Sequence, residues 1–109
     1  MTTKRSIGIV GYGELGRYLA HCILSDGKAK ELLEIGWIWN RSRSKIEEDK
    51  DIPTTLILEK IEDLTTRKVD LIIEVCHPDI VAQYGELFLQ NADFIAGSPT
   101  SFAGKIELY

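Results

Sequence analysis

Cysteine and proline are scarce in this chain, with two of the first and three of the second in 109 residues. Cys22 and Cys76 lie far apart and form no C-x-x-C pattern, so neither a disulfide framework nor a zinc site is indicated. Buried, reduced thiols are the simpler reading. No apolar run is long enough to span a bilayer. The N-terminus, Met1-Thr2-Thr3-Lys4-Arg5, leads directly into an apolar strand rather than into the core and cleavage site of a signal peptide. A cytoplasmic location with no membrane partner is therefore expected. A basic excess is missing too: 13 Lys and Arg stand against 17 Asp and Glu, a formal charge of −4. That balance argues against a general nucleic-acid binder, and any anion site must be local. Internal repeats and low-complexity tracts are absent.

What is present is an ordinary globular composition, 44% hydrophobic and 28% charged, in a length that suits one domain with one core. Its most informative stretch is Ser6-Ile7-Gly8-Ile9-Val10 running into Gly11-Tyr12-Gly13-Glu14-Leu15-Gly16. An apolar strand here delivers a G-x-G-x-x-G turn into the start of a helix. In such a turn the first glycine permits the tight bend, the second keeps side chains off an approaching pyrophosphate, and the third lets the helix pack close to the sheet. The helix N-terminus adds unpaired N–H groups and partial positive charge. Gly11, Gly13, Glu14, Leu15 and Gly16 are the candidate residues for holding a dinucleotide.

The remaining pattern alternates strands and helices. Helix is expected over residues 14–24, where Leu15, Leu19, Cys22 and Ile23 recur at helical spacing, with turn chemistry at Ser25-Asp26-Gly27. A second strand over 32–39 is apolar on both faces, as in a sheet covered by helices on each side. Residues 43–51 read either as one or two helical turns or as a loop. A short third strand follows Pro53 over 54–58, and 61–66 is a brief helix or turn. A fourth strand over 69–75, a helix over 79–90 after Pro78, and a fifth strand over 93–97 complete the series. This order implies right-handed crossovers and an α/β, Rossmann-type, doubly wound parallel sheet with strand order 3-2-1-4-5. Residues 101–109 begin what reads as a further helix and then stop, as in the N-terminal part of a longer protein.

At the end of the second strand, where a carboxylate would bind both ribose hydroxyls and select NAD, the chain has Asn40, 24 residues beyond Gly16. Arg41, Arg43 and Lys45 follow. An amide and a guanidinium can bind a 2′-phosphate that a carboxylate would repel, so NADP is the expected cofactor and NAD the alternative. The competing reading is a solvated loop in which Arg41, Arg43 and Lys45 pair with Glu47, Glu48 and Asp49. Two further loops, Cys76-His77-Pro78 and Gly97-Ser98-Pro99-Thr100-Ser101, fall at strand ends and should border the nicotinamide half. Cys76, His77, Pro78 and Ser98 are the candidates there. His77 could serve as a general acid or base, or simply as a spacer with a solvated ring; the second is favoured because no carboxylate partner can be assigned to it. His21, inside the first helix, is read as structural or exposed.

The blocks Tyr12-Gly13-Glu14-Leu15-Gly16, Trp39-Asn40-Arg41, Glu74-Val75-Cys76-His77-Pro78 and Gly97-Ser98-Pro99-Thr100, in this order and spacing, resemble the N-terminal domain of the L-aspartate dehydrogenase family, its animal branch in particular. The resemblance implies NAD(P)-dependent oxidative deamination of L-aspartate to iminoaspartate and then oxaloacetate, with a link to NAD biosynthesis. It places the catalytic histidine in a C-terminal domain, so no catalytic residue and no metal ligand is assigned within residues 1–109. Any oligomer would form through that missing domain. A non-catalytic dinucleotide-binding or sensing module is the second reading. An S-adenosylmethionine methyltransferase is disfavoured by Asn40-Arg41, because that ligand carries no phosphate.

Overall fold

The computed structural model describes residues 4–97. Four parallel strands form one sheet in the order β2-β1-β3-β4, with β1 at Arg5–Val10, β2 at Leu33–Trp39, β3 at Leu71–Glu74 and β4 at Asp93–Ala96. Helix α1 (Glu14–Ser25) and the short α2 (Gly27–Leu32) connect β1 to β2, and α4 (Pro78–Asn91) connects β3 to β4. Between β2 and β3 the chain makes α3 (Arg43–Glu47) and two 3-10 segments, Thr54–Leu56 and Ile61–Thr66.

Alternation along the strands splits the apolar residues between two faces. Ile7 and Ile9 of β1 pack with Ala20 and Ile23 of α1 and Ile46 of α3. On the other face, Val10, Trp37 and Ile72 meet Ile80 and Phe88 of α4 together with Ile61 and Leu64. Burial on both faces explains why β1 and β2 read as near-continuous apolar runs. In β2 the register slips: Ile35 pairs with Ile7 but Trp37 pairs with Gly8, leaving Gly36 as the extra residue of a bulge. That bulge lets Ile35 and Ile38, three residues apart, join the same core.

The expected third strand over 54–58 is not a strand. Thr54–Leu56 forms a 3-10 turn, and pairing is limited to one parallel bridge between Ile57 and Ile38. Arg67 supplies the physical reason. Its guanidinium donates to the carbonyls of Thr55 (2.9 Å), Ile57 (3.2 Å) and Gly36 (3.1 Å), taking acceptors that a ladder would need. The segment still lies outside β2, so the 3-2-1-4-5 order reduces to four strands with a single bridge at the third position. The turn expected at Asp26 is also a helix start. The Asp26 carboxylate accepts from the Ala29 N–H at 3.0 Å and caps α2. The helix expected over 101–109 and the candidate Ser98 lie outside the described residues.

Candidate functional site

The strand-to-helix turn is built from conformations that only certain residues allow. Gly11 has φ +114°, a value that L side chains rarely adopt, and its N–H donates to the Trp39 carbonyl at 2.7 Å. A Cβ on Gly16 would overlap the Gly11 carbonyl oxygen, so helix α1 could not lie so close to the turn. Gly13 is different: a Cβ there would meet nothing within 4 Å. It is the N-cap of α1, with no side chain to satisfy the first N–H groups of the helix. The turn therefore exposes backbone donors beside open space. Glu14 and Leu15 occupy the exposed outer side of the first helical turn.

Asn40, at the end of β2, is committed to this turn. Its Oδ1 accepts from the Tyr12 N–H at 2.8 Å and its Nδ2 donates to the Ser42 carbonyl at 2.9 Å. Of the cations that follow, Arg43 is bound by Glu59 (2.6 Å) and Glu47 (3.4 Å), a loop-fastening role consistent with the solvated-loop reading. Arg41 is exposed, and its charge favours ionisation of the Cys76 thiol. Lys45 lines a cleft instead.

That cleft, of about 710 Å³, runs from the turn along α1. Tyr12, Gly13, Asn40, Arg17, Lys45 and Asp49 are among its walls. Asp49 is its hub and is buried. Asp49 Oδ2 accepts from the Tyr12 hydroxyl (2.6 Å), from His21 Nε2 (2.6 Å) and from Arg17 Nε (3.4 Å), while Oδ1 accepts from the Asp51 N–H (3.1 Å). Burial opposes ionisation of Asp49, but the bonds from Tyr12 and His21 outweigh it and hold the carboxyl well below the usual carboxylate range. Burial, with the hydrogen bond to Asp49, pushes the Tyr12 phenol above its ordinary value. His21, Asp49 and Asp51 bring their ligand atoms within 4.8 Å of one another, yet a cation would have to compete with the donors already directed at Asp49. The arrangement reads as a hydrogen-bond hub. Sequence reasoning missed it; the only signal was the polar series Glu14, Arg17, Tyr18 and His21 along one side of α1.

At the end of β3, Cys76 packs against Gly11, and burial raises its thiol pKa while Arg41 opposes the shift. The Cys76 N–H donates to Glu74 Oε2 at 2.7 Å. Glu74 is fully buried, and among the described residues its Oε1 has no hydrogen-bond partner. The His77 ring is exposed, as the solvated-spacer reading expects, but it has the carboxylate neighbour that could not be assigned from the sequence: Asp79 Oδ2 lies 3.4 Å from its Nδ1. His77 is the N-cap of α4, its Nδ1 accepting from the Asp79 N–H at 3.1 Å, with Pro78 as the first helical residue.

Comparison with known proteins agrees with this geometry. Residues 11–109 match the family of the homoserine dehydrogenase NAD-binding domain. An "Aspartate dehydrogenase domain-containing protein" of Danio rerio is 43% identical over 102 residues, which are 93% of this chain and 36% of that protein. One of the same description from Xenopus tropicalis is 42% identical over 103 residues, 94% of this chain and 35% of that protein. The chain thus spans about a third of the length of these relatives. The family match starts at the first glycine of the turn and covers nearly the whole chain, and on that ground the chain belongs to the homoserine dehydrogenase-type NAD-binding domain family.

Proposed function

We propose that this chain is the NADP(H)-binding part of an oxidoreductase that deaminates L-aspartate. The observation that carries the reading is the open space over Gly13 at the N-terminus of α1, in a turn whose Gly11 and Gly16 tolerate nothing larger. A pyrophosphate fits that cradle by accepting from the exposed N–H groups. A second feature suits a ligand rich in hydroxyl and amide donors: Glu74 Oε1, at the end of β3, is a buried acceptor with no donor among the described residues. When bound, the nicotinamide supplies the hydride acceptor for the amino-acid substrate.

The chain's own residues bind and orient. Gly11, Gly13, Glu14, Leu15 and Gly16 form the phosphate side. Asn40 fixes the end of β2 and presents no carboxylate, so Arg41 is the residue left to meet a 2′-phosphate. Arg43 supports the loop through its acidic partners. Cys76, His77 and Pro78 border the nicotinamide half. His77 holds the start of α4 through Nδ1, and the resemblance puts the catalytic histidine in a C-terminal domain, so proton transfer is assigned to residues beyond this chain. Incubation of the purified chain with NADP, NAD and L-aspartate should show nucleotide binding and no reduced nicotinamide. Aspartate-dependent turnover that disappears in His77→Ala would overturn that division of labour.

A further inference from the structure

Tyr12 stands between Gly11 and Gly13, the two residues that shape the phosphate cradle, and it is held at both ends. Asn40 fixes its backbone N–H at 2.8 Å and Asp49 fixes its hydroxyl at 2.6 Å. The ring between them is buried. Asp49 is itself held, because His21 and Arg17 of α1 and the Asp51 backbone all donate to it. The turn is thus tied to the helix it introduces and to the segment after α3, 37 residues further along the chain.

We propose that Asp49 is a positioning residue for the dinucleotide, acting through the Tyr12 hydroxyl to keep the glycine turn in its binding conformation. This rests on the dinucleotide reading above. The physical reason is preorganisation. A phosphate site made of backbone N–H groups gains affinity only if those groups already point inward, and a turn with two glycines has many other conformations open to it. The exposed glycine Gly13 contributes no side chain to restrain it, so restraint must come from its neighbour. Tyr12 provides that restraint through a tertiary bond rather than through local sequence.

The test is calorimetric titration of NADPH into the unaltered chain, Tyr12→Phe, Asp49→Asn and the double variant, each with its melting temperature, at a temperature well below melting. Each single change should weaken NADPH binding about tenfold, roughly the worth of one hydrogen bond to a charged group. The double variant should bind no more weakly than the weaker single, because both changes cut one link. A purely structural Asp49 would lower the melting temperature and leave the dissociation constant of the folded protein unchanged. Undiminished NADPH affinity in folded Tyr12→Phe, or losses that simply add, would overturn the proposal. Should Asp49→Asn not fold, Tyr12→Phe carries the test, since it keeps the buried ring and removes only the hydroxyl. If the unaltered chain binds no NADPH, the dinucleotide reading fails and this inference fails with it.

Discussion

At the β1–α1 turn the Asp49 carboxylate collects donors from Tyr12, His21, Arg17 and the Asp51 backbone, whereas at the end of β3 the Glu74 carboxyl has, among the described residues, a single one, from the Cys76 N–H. Both are buried carboxyl groups. The first is satisfied by donors of the protein itself, the arrangement proposed above to preorganise the glycine turn. The second leaves Oε1 unpartnered among the described residues, and a buried acceptor without a donor costs free energy. The contrast suggests where the fold is complete in itself and where a ligand would complete it.

The largest effect that could break this contrast belongs to Gly13→Val. The added side chain enters space that is free of protein, so the melting temperature should hold while dinucleotide binding disappears. Calorimetry and thermal melting of that variant check both halves of the statement. Next comes Arg41→Ala, which should remove most of the preference for NADPH over NADH, on the order of tenfold, and leave NADH affinity nearly unchanged. Parallel titrations with the two cofactors read the ratio.

The hub itself is open to a pH test. The folded-state pKa of Asp49 is depressed, so its contribution to stability is present above the unfolded carboxyl value of about 4 and is lost as pH falls below it. Tyr12 has the opposite sign: its raised value means that its contribution is intact below about pH 10 and lost as pH rises further. Asp49→Asn should therefore melt below the unaltered chain at neutral pH, by about 1–3 kcal/mol, with the gap narrowing below about pH 4. A gap that is constant from pH 7 to pH 3 would contradict the assignment. The smallest effect is expected at His77→Ala, which removes an N-cap worth about 1 kcal/mol and should lower the melting temperature by a few degrees.

How much of this was legible in the sequence depended on how local the cause was. Gly11 and Gly16 could be read because one backbone conformation and one close approach demand glycine. The four strands and the two long helices could be read because their apolar spacing is a local pattern. The third strand could not, because Arg67, 10 to 12 residues away, takes its carbonyls. The Asp49 hub could not either: its bonds to Tyr12 and His21 span 37 and 28 residues, and nothing in the spacing of an aspartate in a charged loop marks it as buried. Arg41, Arg43 and Lys45 look alike in the sequence, yet Arg43 pairs with Glu47 and Glu59 while Lys45 faces the cleft. The helix after Pro78 was legible, since proline suits a first helical position, but the cap at His77 was not, because a histidine is not among the residues that usually fill that place.

The account stands most directly on one titration, NADPH and NADH into the unaltered 109-residue chain. Saturable binding at one site per chain, with NADPH tighter than NADH, is the result it predicts. No detectable binding of either nucleotide by the folded chain would contradict the reading of the glycine turn, and NADH equal to or tighter than NADPH would contradict the role given to Arg41.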